Sequence, residues 1–128
     1  MEVLSTLLYF LVTIGILVSF HEFGHYAAAR LCGVKVLRFA VGFGKPLLSF
    51  QSKSQTEWVI AAIPLGGYVK LLDGRDTEQI ISDEDRPCAF DTQPLWQRSF
   101  IVAAGPLANF LLAVLLLAFI YINGVQQL

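Results

Sequence analysis

Residues 3–30 read VLSTLLYFLVTIGILVSFHEFGHYAAAR, and two patterns meet in them. The first, Val3 to Phe20, is 18 residues without a charge, close to the ~20 apolar residues that cross a bilayer core. The second is His21-Glu22-Phe23-Gly24-His25, which holds both histidines of the chain. On a helix, residues four apart share a face, so both imidazoles can bind one metal ion while Glu22 projects beside them as a general base. Zinc suits these donors, because neutral imidazole binds it and the ion can polarise a water. The competing view is a pair of polar residues satisfied between packed helices. Ionisable groups are costly inside a bilayer and mark function there. Two imidazoles and a carboxylate within five residues therefore weigh for a metal centre set in a membrane span.

Working outward, the helix is expected to continue to about Cys32, where Gly33 stops it. Arg30 suits a helix C-terminus. The whole sequence has 128 residues, 55% of them hydrophobic and 15% charged, against roughly 25% charged in an ordinary soluble domain. A second uncharged run, Ser99 to Leu128, covers 30 residues. The expected fold is therefore a membrane protein, mainly α-helical with a small antiparallel β-sheet. Two transmembrane helices flank a cytosolic, membrane-associated β-hairpin region.

The charges orient it. All nine Lys and Arg lie between the two apolar runs, so by the positive-inside rule the middle is cytosolic and both termini face outward. A cleaved leader is the rival for the first thirty residues. Glu2 stands where a leader has basic residues, and the apolar run is too long for one. Cys32 and Cys88 both fall in the cytosolic part and are expected to be reduced. A net charge of −1 singles out no partner, and nucleic acid is not expected.

The expected organisation is a first span with the metal motif at 1–32, a membrane-associated, reentrant sheet at 33–72 and a polar cytosolic loop at 73–97. A second span follows at 98–124, then an outward-facing tail at 125–128. In the sheet region, Val34, Val36, Phe39, Val41 and Phe43 interleave with Lys35 and Arg38, and Gly42, Gly44 and Pro46 punctuate the run. A polar turn from Gln51 to Thr56 precedes the β-prone Trp58 to Ile63, and Pro64 with Gly66-Gly67 bends the chain before Tyr68 to Leu71. Two to four strands fit this pattern. The loop gathers Asp73, Asp76, Glu78, Asp83, Glu84 and Asp85, a solvated run that lacks the glycine and spacing of a calcium loop. Pro94, Trp96, Gln97 and Arg98 read as an interfacial anchor. Pro106, early in the second span, removes one backbone hydrogen bond.

A catalytic zinc takes three protein ligands and a water, and no third histidine exists. Asp73 is the tempting carboxylate, but it opens the polar loop and nothing fixes it near the helix. Asn109 is a poor zinc ligand, yet its amide can hydrogen-bond a substrate backbone or a developing oxyanion. The third ligand is expected to lie outside this sequence.

Four segments in order now carry a family resemblance: His21 to His25, Gly42-Phe43-Gly44-Lys45, Ile63-Pro64-Leu65-Gly66-Gly67-Tyr68-Val69-Lys70 and Ala104-Gly105-Pro106-Leu107-Ala108-Asn109-Phe110. Together they resemble the bacterial site-2 proteases, in particular those of the sigma-E stress response, over nearly the whole chain. The resemblance implies a zinc-dependent intramembrane endopeptidase of the inner membrane, multi-pass, with periplasmic termini. It implies His21 and His25 as zinc ligands, Glu22 as the catalytic base and Asn109 as a substrate-orienting residue. It also implies a reentrant hairpin that takes substrate as an added strand, with Gly66, Gly67, Tyr68 and Val69 along it. Substrates would be single-span proteins of the anti-sigma-factor type and leftover signal peptides. Members of that family continue with PDZ modules and further helices, one carrying an Asp as third ligand. This chain is accordingly expected to be the N-terminal part of a catalytic core, inactive alone.

Three rival functions remain on the residues themselves: a non-hydrolytic membrane metal-binding or transport module, a haem anchor and a non-catalytic assembly subunit. Histidines on one face cannot ligate both sides of one haem. A transporter needs the histidines but not Glu22.

Overall fold

The computed structural model describes residues 1–124; the expected tail, 125–128, lies outside them. In chain order the elements are helix α1 (Glu2–Leu31), strand β1 (Val36–Gln51), strand β2 (Glu57–Leu71), two short 3-10 turns (Arg86–Cys88 and Phe90–Thr92) and helix α2 (Leu95–Ile122).

Helix α1 ends as its sequence dictates. Gly33 takes φ +77°, its N–H donates to the Arg30 carbonyl at 3.2 Å, and the Val34 N–H reaches back to the Ala29 carbonyl at 2.8 Å. This is a Schellman stop, which needs a residue free to adopt the left-handed region. Val34 then packs with Ala28 and Ala29 in the buried cluster. Helix α2 starts three residues earlier than expected. Pro94, fixed at φ −63°, stands at the N-cap, and its carbonyl accepts from the Gln97 and Arg98 N–H groups. Trp96, Gln97 and Arg98 therefore belong to its first turn rather than to a lead-in. The helix ends at Ile122, short of the expected 124.

Strands β1 and β2 pair as an antiparallel hairpin, but neither is straight. Arg38 to Val41 have neighbours on both sides, Lys70 down to Gly67 on one and Glu57 up to Ile60 on the other. The outer half of β1, Pro46 to Gln51, pairs with Ala61 down to Glu57. Each strand therefore doubles back, near Gly42–Lys45 in β1 and near Ile63–Gly66 in β2. The first bend requires glycine: Gly42 and Gly44 hold φ +90° and +86°, and a Cβ on Gly42 would lie 2.8 Å from the Ile63 carbonyl oxygen.

The buried cluster sits where three pieces meet: the end of α1 (Ala28, Ala29), the lead-in to β1 and its first residue (Val34, Val36) and the first half of α2 (Ile101, Ala104). An aromatic stack ties the sheet to α1, with Tyr26 against Trp58 at 5.0 Å between ring centroids and Trp58 against Phe39 at 4.9 Å. The helices themselves touch through small residues. A Cβ on Gly24 would collide with the Ala104 carbonyl and the Ala108 side chain, the close approach seen where apolar helices associate in lipid.

The loop after β2 is less free than its acidic composition suggests. Lys35 N–H donates to the Cys88 carbonyl at 2.8 Å, and Phe90 N–H donates to the Leu72 carbonyl at 2.7 Å. These bonds dock its second half on the base of the sheet. The remaining helix surface is bare and apolar. Both helices are long and apolar enough to cross a membrane, with mean hydropathy of 2.3 and 2.4 over their best stretches.

Candidate metal centre

The last third of α1 brings the motif together. His21 Nε2 lies 3.1 Å from His25 Nε2, with the rings edge to face and their centroids 4.7 Å apart. Two nitrogens bound at about 2.0–2.1 Å to one tetrahedral zinc are separated by roughly 3.3 Å, so the observed spacing fits a shared ion. His25 is held in the tautomer that metal binding needs. Its Nδ1–H donates to the Ile101 carbonyl across the helix interface at 2.8 Å, which leaves Nε2 with a free lone pair and sets the ring orientation.

Among the described residues no group of three His, Cys, Asp or Glu side chains converges on one point. Asp73 is committed elsewhere: its carboxylate accepts from Arg75 at 2.8 and 3.1 Å, and that guanidinium holds the Asp73 carboxyl below its ordinary range.

A cavity of about 310 Å³ opens beside His21. Its wall includes His21 and Glu22 from α1, Asn109 from α2, and Phe43, Gly66 and Gly67 from the sheet. The carbonyl oxygen of Asn109 is buried there without a partner. An unpaired buried acceptor costs about 1–3 kcal/mol.

The four sheet residues expected to meet substrate divide. Gly66 and Gly67 reach the cavity. Tyr68 does not: its hydroxyl accepts from Arg38 at 3.1 Å, and Arg38 also pairs with Glu57 at 2.6 Å. Val69 packs on the buried cluster. Strand side chains alternate between faces, so a contiguous stretch cannot present every side chain to one cavity. Backbone is different. Gly67 to Lys70 pair with β1 on one side only, and no described strand covers the other.

Three contributors escaped the sequence reading. The Ile101 carbonyl orients His25. Gly105 lies directly under both imidazoles. The Phe43 ring covers Gly66, where a Cβ would collide with it. A signal for the first two existed, since Ile101, Gly105 and Asn109 are four apart and so share one face of α2. Pro106, beside Gly105, frees the carbonyl of Val102 and not that of Ile101.

Two imidazoles, a neighbouring carboxylate and a buried amide oxygen thus lie at the end of an apolar helix, the residue types and spacing that an HExxH metal motif calls for. Comparison with known proteins gives the family. Residues 9–127 match peptidase family M50, and the chain belongs to it. The "Regulator of sigma E protease" of Haemophilus influenzae is 49% identical over 115 residues, covering 90% of this chain and 26% of that protein. "Protease RseP" of Yersinia pestis is 48% identical over 127 residues, covering 99% of this chain and 28% of its own length. A relative from Neisseria meningitidis, named for zinc metalloprotease activity, is 56% identical over 125 residues, 98% of this chain and 27% of its own length. The chain thus spans about a quarter of the length of the relatives it matches.

Proposed function

We propose that the complete protein is a zinc-dependent endopeptidase that cuts peptide bonds within the membrane, and that this chain supplies two of its zinc ligands, its base and part of its substrate cleft. The observation that carries this is a pair of Nε2 atoms 3.1 Å apart beside a cavity lined by His21, Glu22 and Asn109. His21 and His25 would hold the zinc, with a third ligand supplied from outside the described residues. Zinc, when bound, supplies a Lewis acid and makes a water acidic enough to lose its proton near neutral pH.

The chain's own groups account for the rest. Glu22 takes the proton from the attacking water and passes it to the nitrogen of the leaving amine. The Asn109 amide accepts an N–H from the substrate backbone and holds the scissile peptide in line. The free edge of β2 at Gly66 and Gly67 pairs with a substrate drawn out of its helix, since main-chain pairing works on almost any sequence. The pair of helices places this in apolar surroundings, which strengthens each electrostatic contact.

The same reading assigns the setting. The helices span the bacterial inner membrane in a multi-pass protein, the termini are periplasmic and residues 33–97 are cytosolic, in keeping with the basic residues gathered there. The outer hairpin half, with Leu47, Leu48 and Phe50 each more than 60% exposed, dips into the bilayer. Substrates are single-span proteins of the anti-sigma-factor type and leftover signal peptides, and the remaining partner is the C-terminal remainder with PDZ modules. A metal transporter has no use for a carboxylate between its ligands or for an amide opposite them. Glu22→Gln in the complete protein therefore keeps its zinc and loses at least about 100-fold in cleavage of a tagged membrane substrate; undiminished cleavage would refute the base.

A further inference from the structure

We propose that Gly105 of α2 is a positioning residue of the metal centre, a bare helix position against which both imidazoles are seated. The assignment rests on the zinc reading of His21 and His25, and carries it to a helix that offers the ion no ligand.

The nearest atoms to a Cβ built on Gly105 are three imidazole atoms, Nε2 and Cε1 of His25 and Cε1 of His21, at 2.5, 2.6 and 2.8 Å. All are ring atoms at or beside the metal-binding nitrogens, and no side chain or backbone of another kind comes between. Gly105 itself is buried. One turn before it, the Ile101 carbonyl holds His25 Nδ1 at 2.8 Å. The interface thus fixes the His25 ring by a hydrogen bond at one nitrogen and by close contact beside the other. A methyl group at 105 would push both rings out of the positions they hold. Gly24 works differently, because a Cβ there meets α2 backbone and Ala108 rather than a ring. Helix propensity gives no reason for glycine at 105, since alanine is the better helix former.

The experiment uses the complete protein in detergent, with zinc affinity read by competition against a chromogenic chelator and folding read by thermal unfolding of the metal-free form. Gly105→Ala should weaken zinc binding 10- to 100-fold, the range seen when groups that orient a ligand are altered. Gly15→Ala should leave it unchanged, because nothing lies within 4 Å of a Cβ there. The second arm places Gly105→Ala in a His21→Ala/His25→Ala background, where the methyl group meets no ring and unfolding should occur at the same temperature or higher. Wild-type zinc affinity in Gly105→Ala would overturn the assignment. So would misfolding of Gly105→Ala with and without the histidines, which would trace the clash to the helix and not to the rings. Failure of the underlying zinc reading shows elsewhere, in a wild-type protein that takes up no zinc.

Discussion

Asn109 concentrates the residue-scale tension in this molecule. Its carbonyl oxygen is buried and unpartnered, which a protein selected for stability alone would replace. An apolar residue of similar size removes the orphan acceptor and its cost of about 1–3 kcal/mol. Asn109→Leu is therefore expected to raise the unfolding temperature of the complete protein, keep its zinc and lower substrate cleavage by about 10-fold or more. Calorimetry, metal content and a cleavage assay on the same preparation check this. Lower stability together with lost zinc would show that the amide braces the fold instead. Glu22 and Asn109 face one cavity from different helices, and each is expected to leave zinc content intact when replaced.

At the scale of elements, the sheet has two jobs that separate along one strand. Val69 and Leu71 pack on the buried cluster, whereas Gly66 and Gly67 open onto the cavity. Proline at Val69 would damage both jobs at once, so the informative change lies at the glycines. A Cβ on Gly66 collides with the Phe43 ring, and that ring is 46% exposed. Gly66→Ala should raise KM for a membrane substrate several-fold with zinc content unchanged, and Phe43→Ala added to it should recover part of the loss. Loss of zinc in the single variant would mean that the strand edge supports the metal centre itself. The α1–α2 contact behaves as one unit with the motif, because Ile101 is both core and hydrogen-bond acceptor for His25.

At the scale of the whole molecule, two bare apolar helices carry a small buried cluster and a metal motif at one end. The orientation proposed here places Asp83 in the cytosol and Ser5 near the outer face. Single cysteines at these positions, in a background without Cys32 and Cys88, should react with a membrane-impermeant maleimide differently. The one at Ser5 should label in intact spheroplasts and the one at Asp83 only after permeabilisation, and the reverse order would invert the topology. Much of this scale was legible in the sequence. Uncharged length gave the helices, Gly33 marked the end of α1, and histidine spacing put the two imidazoles side by side. What escaped was non-local. The doubling of each strand depends on left-handed Gly42 and Gly44, and it decides which of Gly66 to Val69 face the cavity. Helix α2 begins at Leu95 because Pro94 caps it, a choice that an interfacial motif with Trp96 obscured. Gly105 was visible as a letter but not as a space, since only the fold shows that two rings fill it.

The central claim is a zinc ion held by His21 and His25. Elemental analysis of the purified complete protein tests it most directly, on wild type and on the His21→Ala/His25→Ala variant, each shown to be folded. The account predicts close to one zinc per molecule in the first and less than about a tenth of that in the second. Equal zinc in both, or none in an active wild type, would contradict it.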